Sequence, residues 1–137
     1  MINIGLCRII DLPRVGDRNG SITAINNYEE LPFEAKRIFF IYDIPGGQSR
    51  GHHAHIECYQ FLIALSGSFE VEVFDGKNTK VFFLNTPNKG LLVPPGIWAC
   101  EQNFSSSSIC LVITSHEYDE LDYIRDYNKY LNYVSNV

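Results

Sequence analysis

Apolar residues fall into short runs along this chain, and glycine, proline or asparagine separates one run from the next. Alternation is clearest in Phe69-Glu70-Val71-Glu72-Val73, a pattern that places apolar side chains on one face of a half-buried strand. A continuous run such as Phe61-Leu62-Ile63-Ala64-Leu65 is typical of a strand buried on both faces. The pattern predicts strands at residues 7–12, 21–26, 36–44, 57–65, 68–74, 81–84, 90–93, 97–100 and 109–114.

The turns between these runs favour an all-β architecture. Asn19-Gly20 and Asp75-Gly76 are residue pairs typical of hairpin turns, because both residue types tolerate a positive φ. Many short strands separated by such turns indicate a sandwich, a jelly roll or a barrel. The chain has no internal repeat and no long linker, so we expect residues 1–137 to form a single domain.

The C-terminal part has a different pattern. Residues 117–133 are rich in Asp, Glu and Tyr, and Tyr123, Tyr127 and Tyr130 follow one another at four- and three-residue spacing. This spacing predicts one or two short helical turns with an aromatic stripe on one side. We expect the stripe to pack against the β-structure.

Charge and cysteine content narrow the class of protein. A net charge of -5 without a basic patch disfavours nucleic-acid binding. No apolar run approaches the roughly 18 residues needed to cross a bilayer. The four cysteines, Cys7, Cys58, Cys100 and Cys110, are widely spaced, which favours small buried apolar residues in a reducing compartment over disulfides or a zinc site. We therefore expect a cytoplasmic protein.

Three of the four histidines lie in Gly51-His52-His53-Ala54-His55, between the turn Pro45-Gly46-Gly47 and the apolar run that follows. In an extended strand, His53 and His55 point to the same face, so two imidazoles can share one cavity. Such a pair serves either as metal ligands or as acid/base groups. Alternation places His52 on the opposite face, and His116 is expected at the surface.

The spacing around the pair resembles the first motif of the cupin family. That motif runs from a glycine through His-x-His and a carboxylate to a second glycine, here Gly47, His53, His55, Gln60 and Gly67. The second cupin motif resembles Pro94-Pro95-Gly96, but its histidine position holds Ala99. Two of the four cupin metal ligands are therefore missing. Two imidazoles and a weakly coordinating amide are a poor metal site, which disfavours dioxygenase chemistry and favours proton transfer.

A closer resemblance covers almost the whole chain. Its segments lie at residues 17–22, 31–33, 37–39, 50–55, 86–90, 95–98, 104–105 and 118–127. Together they are similar to the sugar 3,4-ketoisomerase family, the metal-free cupins also called WxcM-like. The resemblance implies a cupin jelly roll with a short C-terminal helix, a homodimer with exchanged strands, and no metal or redox cofactor. The implied substrate is a dTDP-linked 4-keto-6-deoxyhexose, converted to its 3-keto isomer for deoxyamino sugars of surface polysaccharides or antibiotics.

The resemblance places the catalytic groups at His53 and His55. One would carry a proton from C3 to C4 through an enediol, and the other would serve the oxygens. Candidates for substrate binding are Arg50, for the diphosphate or the enediolate, Tyr42, through its hydroxyl, and Gln60, for orienting an imidazole or a sugar hydroxyl. Two further candidates are Lys89, within residues 86–90, and Trp98, which either stacks on the thymine or packs in the core.

Two departures from the family and two alternative functions accompany this interpretation. Phe39 stands where the family often has a tyrosine, and Ile56 where it often has a basic residue. The alternatives are a 3,5-epimerase-type cupin, which exchanges deuterium at C3 and C5 without moving the carbonyl, and a non-catalytic cupin that binds a nucleotide sugar. The lack of a basic helical segment weakens a role in DNA-linked regulation.

Overall fold

The computed structural model describes all of residues 1–137, and antiparallel strands dominate it. The strands are β1 (Arg8–Asp11), β2 (Val15–Asp17), β3 (Gly20–Ile22), β4 (Arg37–Ile41), β5 (Arg50–His55), β6 (Gln60–Ser66), β7 (Phe69–Phe74), β8 (Thr79–Leu84), β9 (Lys89–Val93), β10 (Trp98–Gln102), β11 (Ile109–Thr114) and β12 (Tyr123–Ile124). Two 3-10 turns span Ile4–Leu6 and Glu120–Asp122, and the single α-helix, α1, spans Tyr127–Ser135.

Two five-stranded sheets form the body of the protein. The first sheet has the order β1-β9-β6-β11-β4 and the second has the order β12-β5-β10-β7-β8, while β2 and β3 form a separate hairpin. Every pairing between named strands is antiparallel. This arrangement, together with the short C-terminal helix, confirms the predicted all-β jelly roll.

Strand β6 is buried on both faces, as its continuous apolar run predicts. Leu62 and Ala64 point into the core between the two sheets, where they meet the inward side chains of β7. Phe61 and Ile63 point outward into a second apolar cluster that includes Leu31 and Phe33 of the segment before β4. The first sheet is therefore covered on its outer side by the chain that leads into β4.

Several predicted strands are shorter in the structure, because side chains or left-handed residues take the backbone out of the ladder. Strand β3 ends at Ile22, before residues 26–31 form a local turn in which Glu30 accepts the backbone amide of Asn26. Strand β4 ends at Ile41, shortly before Asp43 adopts a φ of 54°. The Asn19-Gly20 turn is confirmed as the link between β2 and β3.

The C-terminal segment divides at Asp126, whose side chain caps the N-terminus of α1. Tyr130 of α1 is fully buried, and its hydroxyl lies 2.7 Å from the carbonyl oxygen of Gly96 and 3.0 Å from that of Phe74. Tyr127 and Tyr130 thus pack on the sheet as predicted. Tyr123 does not belong to this stripe, since it lies in β12 and pairs with His55 of β5.

All four cysteines are buried and free. No helix in the structure has the length and apolar character needed to cross a membrane.

Candidate active site

An open cavity of about 850 Å³ lies between the two sheets and is lined by β4, β5, β10 and the segment before α1. Its polar lining includes His53, Gln60 and Glu101, together with three arginines, Arg37, Arg50 and Arg125. Apolar side chains such as Leu62 and Val112 belong both to this lining and to the core between the sheets. The cavity is therefore a direct extension of the core.

A β-bulge in β5 determines which side chains face the cavity. His53 pairs with Ala99 and Gly51 pairs with Cys100, so His52 is an extra residue with a φ of 58°. Arg50 and His53 are three positions apart and would lie on opposite faces of a regular strand. The extra residue brings both into the cavity. His52, expected on the opposite face, is exposed at the cavity mouth, where its ring bonds to Ser49.

Gly51 is required at this bulge for two reasons. Its φ is 91°, in the left-handed region that side chains other than glycine rarely adopt. A Cβ placed on it would lie 2.6 Å from an oxygen of Glu101. The glycine therefore makes room for the carboxyl group of the neighbouring strand.

His53 is the histidine that lines the cavity. Its Nδ1 is buried without a hydrogen-bond partner, while Nε2, which also makes no hydrogen bond, is the nitrogen that reaches open space. Burial, aided by the nearby charge that His55 carries when protonated, lowers the pKa of His53 to about 4. At neutral pH this ring is neutral and able to accept a proton through Nε2.

His55 lies directly beside His53, with ring centroids 5.0 Å apart in an edge-to-face arrangement. Its Nδ1 is 2.9 Å from Oδ2 of Asp122. Because a carboxylate only accepts hydrogen bonds, Nδ1 carries the ring proton and Nε2 holds the lone pair. Burial lowers the pKa of His55, and the bond to Asp122 opposes that shift. Asp122 thereby fixes both the orientation and the tautomer of this ring.

Asp122 is itself held by the backbone of the segment after β5. It accepts the amide of Glu57 at 2.8 Å and the amide of Cys58 at 3.3 Å. These bonds also explain why β6 begins at Gln60, later than predicted, because two amides before it are used by a side chain. The sequence argument missed Asp122, since neither strand nor helix periodicity relates it to His55.

Tyr123 packs against both histidines. Its ring centroid lies 4.9 Å from that of His53 and 4.3 Å from that of His55. Arg37 lies 3.3 Å from the Tyr123 hydroxyl, and Arg125 stacks on the Tyr123 ring at 4.1 Å while bonding to Glu120. The assignment of Tyr123 to a helical packing stripe was therefore wrong: this tyrosine is part of the wall around the histidines.

Glu101 is a carboxyl group buried in the cavity wall. It is 7 % exposed, pairs across the strands with Arg50, and accepts no hydrogen bond from the protein. Burial raises the pKa of Glu101 to about 8, although Arg50 opposes the shift. The sequence contained a signal for this residue, because Glu101 follows the apolar positions of β10 and shares the face of Ala99.

Three of the five predicted substrate-binding residues line the cavity. Arg50 and Tyr42 are exposed at its mouth, and Gln60 is buried in its wall. The structure does not bring the other two to the cavity. Lys89 lies at the start of β9, where its ammonium group is 3.7 Å from Asp11. Trp98 points to the opposite face of β10 and packs against Tyr127 and Tyr130 of α1, so it is a packing residue in this chain.

The cupin ligand positions come together without forming a complete donor set. His53 and Gln60 line the cavity, His55 is adjacent, and Ala99, opposite His53, offers no ligand atom. A second group, His55, Cys58 and Asp122, has potential ligand atoms within 4.8 Å of one another. In this group the Asp122 carboxylate is already bonded to Nδ1 of His55, and burial raises the pKa of Cys58. This arrangement is typical of an imidazole whose orientation is fixed by a hydrogen bond to a carboxylate.

The fold and the site define a jelly-roll protein of the cupin type with a histidine pair suited to acid/base chemistry. Comparison with known proteins agrees with this class. The family model "FdtA: WxcM-like, C-terminal" matches residues 6–135. This chain therefore belongs to the WxcM-like family.

Relatives of known function and structure are similar over nearly the full length. A TDP-4-oxo-6-deoxy-alpha-D-glucose-3,4-oxoisomerase of Aneurinibacillus thermoaerophilus is 36% identical over 95% of this chain and 94% of its own. A 3,4-ketoisomerase from Helicobacter canadensis is 42% identical with a TM-score of 0.92, covering 94% of this chain and 97% of its own. The sugar 3,4-ketoisomerase QdtA from Thermoanaerobacterium thermosaccharolyticum, solved in complex with TDP, is 30% identical with a TM-score of 0.95, covering 98% of each.

Proposed function

We propose that this chain is a sugar 3,4-ketoisomerase that moves the keto group of a TDP-linked 4-keto-6-deoxyhexose from C4 to C3. The observation that carries the proposal is the imidazole pair, in which His53 opens to a cavity and His55 is fixed by Asp122. The relatives with this activity support it over nearly the whole chain. A place in the biosynthesis of deoxyamino sugars follows from the product, because a keto group is what an aminotransferase acts on.

The reaction needs proton transfers and no net change of oxidation state. A base removes the acidic proton on C3, an enediol forms, and the proton returns to C4 while another proton moves between the oxygens. We assign the transfer between carbons to His53, because its Nε2 is neutral and reaches the cavity. We assign the oxygens to His55, whose Nε2 is buried without a hydrogen-bond partner next to the His53 ring and holds a lone pair because Nδ1 is bonded to Asp122.

Unpaired arginines provide the positive charge for the diphosphate. Arg50 and Arg37 line the cavity, and neither forms a salt bridge with a carboxylate, whereas Arg125 is neutralised by Glu120. A guanidinium binds phosphate oxygens through two parallel hydrogen bonds, which suits this task. Tyr42 at the mouth and Gln60 in the wall remain the candidates for hydrogen bonds to the substrate.

The activity is tested by incubating the protein with TDP-4-keto-6-deoxyglucose in deuterated water and following the sugar by NMR. We expect the carbonyl carbon signal to move from C4 to C3, and deuterium to enter C4 to the extent that the proton held by His53 exchanges with solvent before it is returned. Exchange at C3 and C5 without migration would identify a 3,5-epimerase instead. Binding without either change would identify a non-catalytic nucleotide-sugar binder.

We also propose that residues 1–137 act as one domain in a reducing, cytoplasmic compartment. Support for one domain comes from the core, which receives side chains from both five-stranded sheets. Support for the compartment comes from the cysteines, which are all buried and free.

A homodimer is part of the proposal, and the edge strand β4 is the surface we assign to it. Ile38 (60%) and Phe40 (57%) are exposed on this strand, which has a partner on one side only. The β2–β3 hairpin pairs with no other strand and exposes Val15 and Ile22. An unpaired apolar edge of this kind is typically covered by another chain.

Light scattering on the purified protein is expected to give the mass of two chains. Ile38→Glu places a charge on the proposed interface and should shift the mass toward one chain. Val81→Glu is the matched control, because Val81 is also a partly exposed apolar residue on an edge strand, β8 of the other sheet. A monomeric wild-type protein, or equal effects of both variants, would refute the assignment of β4.

A further inference from the structure

If the chain is the ketoisomerase proposed above, its histidine pair provides proton acceptors but no proton donor to the substrate. When His53 accepts through Nε2, its own ring proton is on the buried Nδ1. The ring proton of His55 is engaged with Asp122. Formation of the enediol requires a proton on the ketone oxygen O4 at the same time as C3 loses one. A further group must supply that proton.

We propose that Glu101 is the oxygen-side acid of this site and donates its carboxyl proton to O4 of the sugar. Glu101 lies in the cavity wall on β10, two residues from the position opposite His53, so its carboxyl group and the imidazole are diagonal neighbours on one face. Diagonal neighbours across antiparallel strands are about 7–8 Å apart, close enough that one molecule in the cavity can contact both side chains. Phe39, another residue of the wall, has no hydroxyl to offer.

The surroundings of Glu101 keep it in its acid form without binding it elsewhere. It accepts no hydrogen bond from the protein, and one of its oxygens lies over Gly51, 2.6 Å from the place that a Cβ would take there. The charged and titratable groups facing it are few: Arg50 and His53 from β5 and Cys110 from β11, while β7 presents Val71. Cys100 is next to it on β10, and Arg37, Arg125 and Asp43 line the same cavity farther along. A neutral acid also avoids repulsion from the substrate diphosphate.

The proton balance of the proposed cycle closes. In the first half, the C3 proton passes to His53, the double bond forms between C3 and C4, and O4 takes the proton of Glu101. In the second half, His55 takes the proton of the O3 hydroxyl, the C3 carbonyl forms, and His53 returns its proton to C4. His55 is then protonated and Glu101 ionised. One proton transferred from His55 to Glu101 restores the resting state.

Glu101→Gln tests the proposal, because glutamine keeps the shape and neutrality of the side chain but has no acidic proton. We expect carbonyl migration to fall by on the order of a hundredfold, the scale of a lost general acid. TDP affinity should be unchanged, and deuterium exchange at C3 should fall together with migration, because both need the proton that Glu101 delivers to O4 in the first half of the cycle. Wild-type kcat should decline as pH rises through about 8, and this decline should be absent from the residual rate of the variant.

Two further variants complete the test. Glu101→Asp keeps an acid at this position and should retain more migration than the glutamine variant. Glu72→Gln makes the same chemical change on the exposed face of the neighbouring strand β7 and should match wild type. Wild-type migration in Glu101→Gln, or a loss of migration in which the residual rate keeps the alkaline decline, would overturn the proposal. An inactive wild-type protein would instead refute the proposed function.

Discussion

Replacing His53 with asparagine is expected to lower the rate of carbonyl migration by on the order of a hundredfold or more, because the site loses the base that removes the C3 proton. Asparagine retains hydrogen-bonding atoms but does not accept a proton from carbon. The rate is measured by NMR on TDP-4-keto-6-deoxyglucose. Exchange of the C3 proton with solvent deuterium should fall in parallel, because the same group performs both steps.

Matched histidine variants distinguish the loss of the catalytic base from a general disturbance of the fold. His116→Asn changes an exposed histidine outside the cavity, and His52→Asn changes the exposed histidine at the cavity mouth. Both should keep most of the wild-type rate, and all three variants should bind TDP. His55→Asn should lose migration on the scale of His53→Asn. Turnover near the wild-type level in both His53→Asn and His55→Asn would eliminate the proton-transfer mechanism.

Much of the fold is predictable from the sequence because local patterns and tertiary packing agree. The run in β6 is apolar at every position from Phe61 to Leu65, and the structure places an apolar cluster on each side of that strand. The alternation in β7 likewise matches its burial, with Phe69, Val71 and Val73 fully buried. At these positions the apolar pattern of the sequence matches the burial of the side chains in the structure.

The site was less predictable, because it depends on a departure from that regularity. Alternation correctly placed the His53 and His55 rings together, but it could not show that a bulge at His52 would add Arg50 to the same face. The bulge is a property of the pairing with β10, and it depends on the fit between Gly51 and Glu101. A strand considered alone contains no such information.

The pairing and the faces of the strands explain why Lys89 and Trp98, both predicted to bind substrate, lie away from the cavity. Lys89 and Trp98 were selected because they lie in family-like segments, which says nothing about which end or face of a strand they occupy. Val93, four residues after Lys89, is the residue of β9 that is level with Gln60, so Lys89 lies about 13 Å along the strand from that level. Trp98 is next to Ala99, and adjacent residues of a strand face opposite ways.

Asp122→Asn is expected to lower kcat by on the order of a hundredfold while leaving TDP affinity unchanged, although Asp122 touches no part of the cavity used by the substrate. The side-chain NH₂ of asparagine would face Nδ1 of His55 and favour the tautomer in which Nε2 carries the proton. The lone pair that serves the sugar oxygens would then be lost, together with the negative charge that stabilises the protonated ring. The asparagine carbonyl can still accept a backbone amide of the segment after β5, so the local fold should persist.

Nitrogen NMR of the His55 ring provides the readout that a purely structural role would not change. Wild-type protein should show the proton on Nδ1, as the 2.9 Å bond to Asp122 requires, and Asp122→Asn should show it on Nε2. Asp11→Asn, an exposed aspartate beside Lys89, is the matched control and should change neither the tautomer nor kcat. A variant with wild-type kcat, or one that loses kcat with the proton still on Nδ1, would show that Asp122 does not act through the tautomer of His55. The expected result would tie catalysis to a contact between β5 and the segment before α1, two parts of the chain that only the fold brings together.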